Sequence, residues 1–135
     1  MIIVSACLAG IKCNYNNDSK PCQEVVDLVK AGKAIPLCPE QLGGLPTPRP
    51  AAELSEEKVI TNTEEDVTKE FLKGAEEVLK IAQMVGAKEA ILKSKSPSCG
   101  CGKVYDGTFS KTLIDDDGVT VKLLKKNGIK VRNEK

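Results

Sequence analysis

The feature that most constrains the fold of this sequence is the alternation of short apolar runs with segments of helical periodicity. The apolar runs, each of strand length, are MIIVSA at 1–6, KAIPLCPE at 33–40, KEAILKS at 88–94 and IKV at 129–131. Helical periodicity falls between them, at residues 20–32, 64–85 and 116–128. Strands that alternate with helices predict a parallel sheet with helices on both faces. We therefore expect an α/β fold with a mostly parallel sheet flanked by helices.

The longest predicted helix begins near Glu64 and ends at Gly86. Its apolar residues fall on one face and are Val67, Phe71, Ala75, Val78, Leu79, Ala82 and Val85. The TEED sequence from Thr63 has the pattern of a capping box. The stretch QLGGLPTPRPAAEL at 41–54 is rich in proline, so we expect an ordered loop there without regular secondary structure.

Length and charge limit the number of domains and the kinds of partner. The chain has 135 residues, with no internal repeat or linker, and predicts a single domain over 1–135. The 20 basic and 19 acidic residues give a formal net charge of +1, so we expect neither nucleic acid nor a membrane as partner. The sequence is compatible with a monomer or a homodimer.

The predicted cellular compartment determines how the six cysteines are interpreted. The apolar start MIIVSACLAG lacks the basic stretch of a secretory signal, and Lys12 and Asn14 follow it directly. No run approaches transmembrane length. We expect a cytoplasmic protein, in which six cysteines without any histidine indicate metal or redox chemistry rather than a disulfide framework.

Three cysteines lie at the ends of three predicted strands. Cys7 follows the first strand, Cys38 closes the second, and Cys99 lies just past the third. Because ligands of open α/β sheets bind at the carboxyl ends of the strands, we expect these thiols to converge on one site. A catalytic zinc site of three cysteines is possible but uncommon, whereas thiolates also favour iron–sulfur clusters.

The other three cysteines have less defined roles. Cys22 is predicted within a helix and is interpreted as structural. Cys13 and Cys101 lie near the predicted site and are either accessory thiols or ordinary buried side chains. Any of the three, Cys13, Cys22 or Cys101, could instead supply a fourth ligand.

Polar residues beside these cysteines suit catalysis. Glu40 follows Cys38 by two residues and would act as a general base towards water, although a solvated loop carboxylate is the simpler interpretation of this residue alone. Ser96 and Ser98 flank a proline before Cys99, where hydroxyls would orient a water or a substrate oxygen, or simply form a turn. Gly43–Gly44 and Arg49 are candidates for holding a nucleotide base or phosphate.

Four motifs in order resemble the thiouracil desulfidase family over nearly the whole chain. They are VSACLAG with KCNYNN, PLCPEQLGGLPTPRPAAEL, KSKSPSCG and DDDGVTVKLLKKNGIKV. The resemblance implies a single Rossmann-like α/β domain with a [4Fe–4S] cluster held by three cysteines, here Cys7, Cys38 and Cys99, with one iron left open. By motif position it implies Glu40 and Ser96 as the catalytic residues, with Ser98 as the alternative to Ser96.

The resemblance also implies the reaction. Sulfur of a thiolated pyrimidine, thiouracil or 4-thio-uridine monophosphate, would bind the open iron, and Glu40 would activate water to replace it without electron transfer. Many members read Arg-Tyr-Asp-Gly where this chain has Asn14–Asn17, a change in the region expected to grip the substrate. Some members act on thiolated tRNA with an extra domain that this chain lacks, which favours a free base or mononucleotide.

Three other functions use the same thiols. One is a zinc protein, and another is a cluster-bearing sensor or sulfur carrier without turnover. A sensor needs no general base, so Glu40 beside Cys38 argues against it. The third, a thiol–disulfide protein, is disfavoured because the sequence contains no Cys-x-x-Cys.

Overall fold

The chain forms eight strands and four helices in the computed structural model, which describes residues 1–135. In chain order they are β1 (Ile2–Ser5), α1 (Gln23–Lys30), β2 (Ala34–Leu37), α2 (Pro39–Leu42), β3 (Ala52–Ser55), β4 (Lys58–Thr61), α3 (Thr68–Met84), β5 (Glu89–Leu92), β6 (Lys103–Tyr105), β7 (Leu113–Asp115), α4 (Val119–Lys126) and β8 (Lys130–Asn133). A 3-10 turn at Ala6–Ala9 follows β1. None of the helices combines the length and apolarity that crossing a membrane requires.

The central sheet has four parallel strands in the order β2-β1-β5-β8. Ile3 of β1 pairs with Ile35 on one side and with Ala90 on the other, although these partners are far apart in sequence. The chain places β2 on one side of β1 and later places β5 on the other side. The strand order therefore reverses between β1 and β5, where ligands of such sheets bind.

Helices cover both faces of this sheet because its buried strands are apolar on both sides. Ile3 packs with Val78 of α3 and Leu124 of α4 on one face. The next residue, Val4, packs with Val25 of α1 on the other face. This alternation follows the two-residue period of a strand. The predicted fold class, a mostly parallel α/β sheet flanked by helices, is confirmed.

Two antiparallel hairpins, β3–β4 and β6–β7, lie outside the central sheet. They share an apolar cluster with the start of α3, formed by Leu54, Val59, Val67, Phe71 and Val104. The expectation of a loop without regular structure at 41–54 is wrong at both ends, since α2 includes Gln41 and Leu42 and β3 begins at Ala52. The proline-rich part between them is irregular, as predicted.

The helix boundaries differ from the prediction by a few residues. Helix α3 begins at Thr68 instead of Glu64, because Asp66 still pairs with Ile60 of β4 in an isolated bridge. Thr63 is therefore not the helix cap, and its hydroxyl bonds Thr61 at 3.0 Å. The expectation that Cys22 lies within a helix is also wrong, because this residue directly precedes α1.

Two glycines let α2 and α3 come into backbone contact. A Cβ on Gly43 would lie 1.9 Å from the carbonyl oxygen of Glu70, and a Cβ on Gly74 would lie 1.9 Å from that of Pro39. No side chain fits at either position without moving the backbone. This contact fixes α2, and with it Glu40, against the longest helix of the domain.

Candidate functional site

One large cavity lies at the carboxyl ends of β1, β2 and β5. Its volume is about 610 Å³, within the usual range for small-molecule sites. The sheet edge forms its floor, and the two hairpins contribute Glu53, Tyr105 and Phe109 to its wall. The cavity therefore occupies the point at which the strand order reverses.

The three cysteines expected to converge all line this cavity. Cys7 lies in the 3-10 turn after β1. The backbone N–H of Gly10, which follows this turn, donates to the carbonyls of Ala6 and Cys7. Cys38 directly follows β2 and precedes Pro39, the first residue of α2. Cys99 reaches the cavity from the loop after β5 and is 4% exposed.

The loop that carries Cys99 is held by the C-terminal part of the chain. The Asn133 side-chain amide donates to the carbonyl of Leu92 at 2.7 Å and to that of Cys99 at 3.1 Å, and its oxygen accepts the N–H of Cys101 at 2.8 Å. The backbone N–H of Gly118 donates to the carbonyl of Gly100 at 2.7 Å. Cys99 therefore owes its position to residues after 115.

The protonation of these thiols is set by burial and by one another. Burial raises the pKa of Cys99 to about 12, although the Ser5 hydroxyl bonds to its sulfur. A hydrogen bond with Cys13, and then burial, raise the pKa of Cys38. A hydrogen bond with Cys38 lowers the pKa of Cys13, but a bond with Cys7 and burial outweigh it and raise that pKa to about 11. Thiols of this kind are neutral at pH 7, so a bound metal would release protons.

The three remaining cysteines occupy different environments. Cys13 is 2% exposed and lines the cavity beside Cys7 and Cys38. Cys22 packs against the apolar core under α1, and the Cys101 thiol lies 3.5 Å from the carbonyl of Val131. Neither Cys22 nor Cys101 lines the cavity.

Glu40 lies in the cavity wall, in an ion pair with Arg49. Arg49 Nε donates to Glu40 Oε1 at 3.0 Å, and the two side chains are 4% and 18% exposed for Arg49 and Glu40. The guanidinium also donates to the Pro46 carbonyl, the Thr47 hydroxyl and the Cys13 carbonyl, the last at 2.8 Å. Arg49 is thus buried and joins the carboxylate to the cysteine segment. Gly43–Gly44 lie outside the cavity lining.

The two candidate serines are in different places. Ser96 lines the cavity, and its hydroxyl oxygen accepts the N–H of Ser98 at 3.1 Å and that of Cys99 at 3.0 Å. Ser98 is fully buried, bonds the Thr120 hydroxyl at 2.7 Å and does not line the cavity. Ser96 therefore faces the space in which a substrate would lie.

Three of the four aromatic side chains of the protein line the cavity. The chain has two tyrosines and two phenylalanines, and Tyr15, Tyr105 and Phe109 line the cavity while Phe71 lies in the core. Phe109 adopts a left-handed backbone, φ 55°, which is held because Glu53 accepts the N–H of Gly107 at 3.0 Å and that of Phe109 at 3.1 Å. The rim thus offers flat surfaces to a planar ligand.

Four lysines also line the cavity, namely Lys20, Lys93, Lys95 and Lys111. Lys93 is paired with Glu134 at 3.3 Å, and the other three form no ion pair. Lys95 and Lys111 have left-handed backbones, with φ 67° and 62°. An anionic ligand suits this rim, although the net charge of the chain is close to zero.

The chemistry of the donors in the cavity fits an iron–sulfur cluster. Thiols from Cys7, Cys38 and Cys99 around one cavity form an all-sulfur set, the donor type that iron–sulfur clusters prefer.

Several residues of the site were not predicted from the sequence. Ser5, Glu53, Asn133 and Phe109 act through contacts between distant segments, and no local motif marks such contacts. A compositional signal existed for Phe109, since aromatic residues are only 3% of the chain. The Asn14–Asn17 segment lines the cavity through Asn14, Tyr15 and Asn16. Asn17 has φ 62°, a left-handed conformation that asparagine tolerates.

Comparisons with known proteins show the family to which the chain belongs. The chain is 42% identical to the uncharacterized protein YbbK of Bacillus subtilis, over 99% of this chain and 95% of that protein. Among solved structures it is similar to the [4Fe-4S]-dependent thiouracil desulfidase TudS, with a TM-score of 0.94 and 44% identity over 98% of this chain and 89% of that chain. Residues 2–135 match the 2-thiouracil desulfurase family, and the chain belongs to that family.

Proposed function

We propose that this protein is a [4Fe–4S]-dependent desulfidase that replaces the sulfur of a thiolated pyrimidine with oxygen from water. The observation that carries the proposal is the convergence of Cys7, Cys38, Cys99, Glu40 and Ser96 on one cavity from three separate segments. The likeness to the thiouracil desulfidase TudS supports the same activity.

Cys7, Cys38 and Cys99 would hold the cluster at the sheet edge. When bound, the cluster would supply an iron without a protein ligand, a Lewis acid that polarises the carbon–sulfur bond and accepts the departing sulfur. The reaction is a hydrolysis: one water gives its oxygen to the ring carbon and its protons leave with sulfide, so no electron is transferred.

Glu40 would take a proton from the attacking water. Its Oε1 accepts the bond from Arg49, which fixes the orientation of the carboxylate and leaves Oε2 available to a water in the cavity. A positioned carboxylate of this kind contributes about 10²- to 10⁴-fold to a rate as a general base.

Ser96 would donate a hydrogen bond rather than accept one. Its oxygen already accepts two backbone N–H groups, so the hydroxyl proton is the part of the group left for a ligand. The proton would bond a substrate oxygen and orient the ring. Ser98 cannot play this part in the observed geometry, because its hydroxyl is bonded to Thr120 away from the cavity.

The cavity favours a thiolated nucleotide over a free base. Three aromatic side chains at the wall suit a pyrimidine ring, and lysines without an ion pair, such as Lys95 and Lys111, suit a phosphate. The volume of about 610 Å³ exceeds what one pyrimidine ring fills. We therefore expect 4-thio-uridine monophosphate to bind better than 2-thiouracil.

The test is metal analysis and sulfide release after anaerobic purification. We expect about four irons and about four acid-labile sulfides per chain, and sulfide release from both substrates. Glu40→Gln should lose about 10²-fold or more of kcat, whereas Glu57→Gln in the exposed β3–β4 turn should keep it. Cys7→Ala, Cys38→Ala and Cys99→Ala should each lose the cluster. Wild-type protein with iron but no sulfide release, or an active Glu40→Gln variant, would overturn the proposal.

A further inference from the structure

Glu53 is a buried carboxylate in the wall of the cavity, and the proposed function does not use it. It lies in β3, is 9% exposed and lines the cavity. No lysine or arginine forms an ion pair with it. A buried carboxylate is unfavourable unless its oxygens find hydrogen-bond donors. The surroundings of its two oxygens therefore decide what Glu53 can bind.

The two oxygens of Glu53 have different surroundings. Oε1 accepts the backbone N–H of Gly107 at 3.0 Å and that of Phe109 at 3.1 Å, and Oε2 accepts no hydrogen bond from the protein. Among side chains that are not exposed, Glu70 has the only oxygen that is both fully buried and without a hydrogen bond, so Oε2 of Glu53 is open to solvent. Because Glu53 lines the cavity, this oxygen is an unused acceptor at the cavity wall.

The loop that Glu53 holds carries two of the side chains expected to bind a nucleotide. Phe109 and Lys111 both line the cavity and lie two residues apart. The loop is packed closely on β3, because a Cβ on Gly107 would lie 2.7 Å from the carbonyl oxygen of Leu54. In a nucleotide the ribose lies between the base and the phosphate. A base stacked on Phe109 and a phosphate bound by Lys111 would therefore place the ribose beside Glu53, whose carboxylate is bonded to the Phe109 backbone.

We propose that Glu53 Oε2 accepts a hydrogen bond from a ribose hydroxyl of the substrate and thereby selects thiolated ribonucleotides. The inference rests on the proposed function and names the substrate class of the same site. An ionised carboxylate only accepts hydrogen bonds, so it suits a hydroxyl and repels a phosphate. The ring N–H beside the thiocarbonyl carbon has to follow that carbon to Glu40 and the cysteines, which leaves the ribose hydroxyls as donors near Phe109. An acidic side chain holds a ribose hydroxyl in the same way in dinucleotide-binding α/β folds.

Calorimetric titration of the anaerobically loaded protein measures this contact without turnover. The ligands are uridine monophosphate (UMP), which is the expected product, and its 2′-deoxy and 3′-deoxy analogues. We expect at least one deoxy analogue to bind the wild type about tenfold or more weakly than UMP, because loss of a hydrogen bond to a charged group costs about that much affinity.

The variant Glu53→Gln tests whether this carboxylate is the source of the discrimination. The glutamine carbonyl can still accept the N–H groups of Gly107 and Phe109, while an amide NH2 replaces the free oxygen. The preference for UMP over the discriminated analogue should fall to about threefold or less. A displaced loop would weaken all three nucleotides equally and leave their ratios unchanged. The control Glu57→Gln, in the exposed β3–β4 turn, should keep the wild-type affinities.

The inference is overturned if UMP and both deoxy analogues bind the wild type equally, if none of them binds, or if Glu53→Gln keeps the wild-type preference. Sulfide release from 4-thio-uridine monophosphate by the same preparation would then leave the proposed function standing. Conversely, discrimination that depends on Glu53 in a cluster-loaded protein without sulfide release would refute the proposed function and leave the ribose contact in place.

Discussion

Replacement of Arg49 by methionine removes the cation that holds Glu40. The substitution keeps a chain of similar length but deletes hydrogen bonds to Glu40, Pro46, Thr47 and Cys13. The Arg49 side chain is only 4% exposed, so water cannot reach the site well enough to replace all of these hydrogen bonds. The substitution therefore leaves the Glu40 carboxylate without a charged partner. Breaking a buried ion pair costs about 3–5 kcal/mol. Because Glu40 keeps 18% exposure, we expect the lower end, about 3 kcal/mol of the free energy of unfolding.

Urea denaturation of the anaerobic apoprotein measures this loss, with Arg132→Met as the matched control. Arg132 pairs with Glu24 at 2.6 Å, but both side chains are more than 40% exposed, so its loss should cost less than about 1 kcal/mol. The double variant Arg49→Met/Glu40→Gln should be more stable than Arg49→Met by about 1 kcal/mol or more, because it leaves no unpaired charge. The reasoning fails if Arg49→Met costs no more than Arg132→Met.

Three further predictions concern the packing, the acid stability and the substrate. Gly74→Ala would place a Cβ 1.9 Å from the Pro39 carbonyl oxygen and should lower the free energy of unfolding, followed by thermal unfolding, by about 3 kcal/mol. In the control Gly128→Ala the Cβ meets no atom within 4 Å, so the loss should be about 1 kcal/mol, caused by its φ of +81°. Burial raises the pKa of Glu134, but the Ser94 N–H and the Lys93 charge outweigh it and lower that pKa below 4.5. The resulting stability is present above pH 4.5 and lost as the pH falls, so the acid limb of a denaturation curve should be shallower in Glu134→Gln. Phe109→Ala should raise KM for 4-thio-uridine monophosphate about tenfold with a smaller effect on kcat. The reason is that stacking of a base on an aromatic side chain contributes about 1–3 kcal/mol to binding. An unchanged KM would exclude stacking of the substrate ring on Phe109.

The parallel sheet could be predicted from the sequence because its signals are local. Ile3 and Val4 are apolar neighbours, which is what a strand buried on both faces requires. The hairpins could not be predicted in the same way. Strand β7 is exposed throughout and has no apolar alternation, and β3 follows a proline-rich stretch that indicated a loop. Their pairing depends on a shared core with α3, which no local window contains.

For the site, the sequence predicted the residue types better than the roles. Cys7, Cys38 and Cys99 could be placed together because strand ends share an edge of the sheet. The sequence makes Arg49 a candidate for holding a phosphate or base, but its side chain bonds within the protein, to Glu40 and to the Cys13 carbonyl. The distinction between Ser96 and Ser98 depends on Thr120, more than twenty residues away, and is invisible before the chain folds.

The bonds from Asn133 to the Cys99 loop bear on when a cofactor can be inserted during synthesis. Asn133 follows Cys99 by 34 residues, so the carbonyls of Leu92 and Cys99 have no partner from β8 until that segment has left the ribosome. Segments made earlier can fold first, so Cys7 and Cys38 are in place before the Cys99 loop is held. A cluster that needs all three cysteines would therefore be loaded only after β8 has joined the sheet.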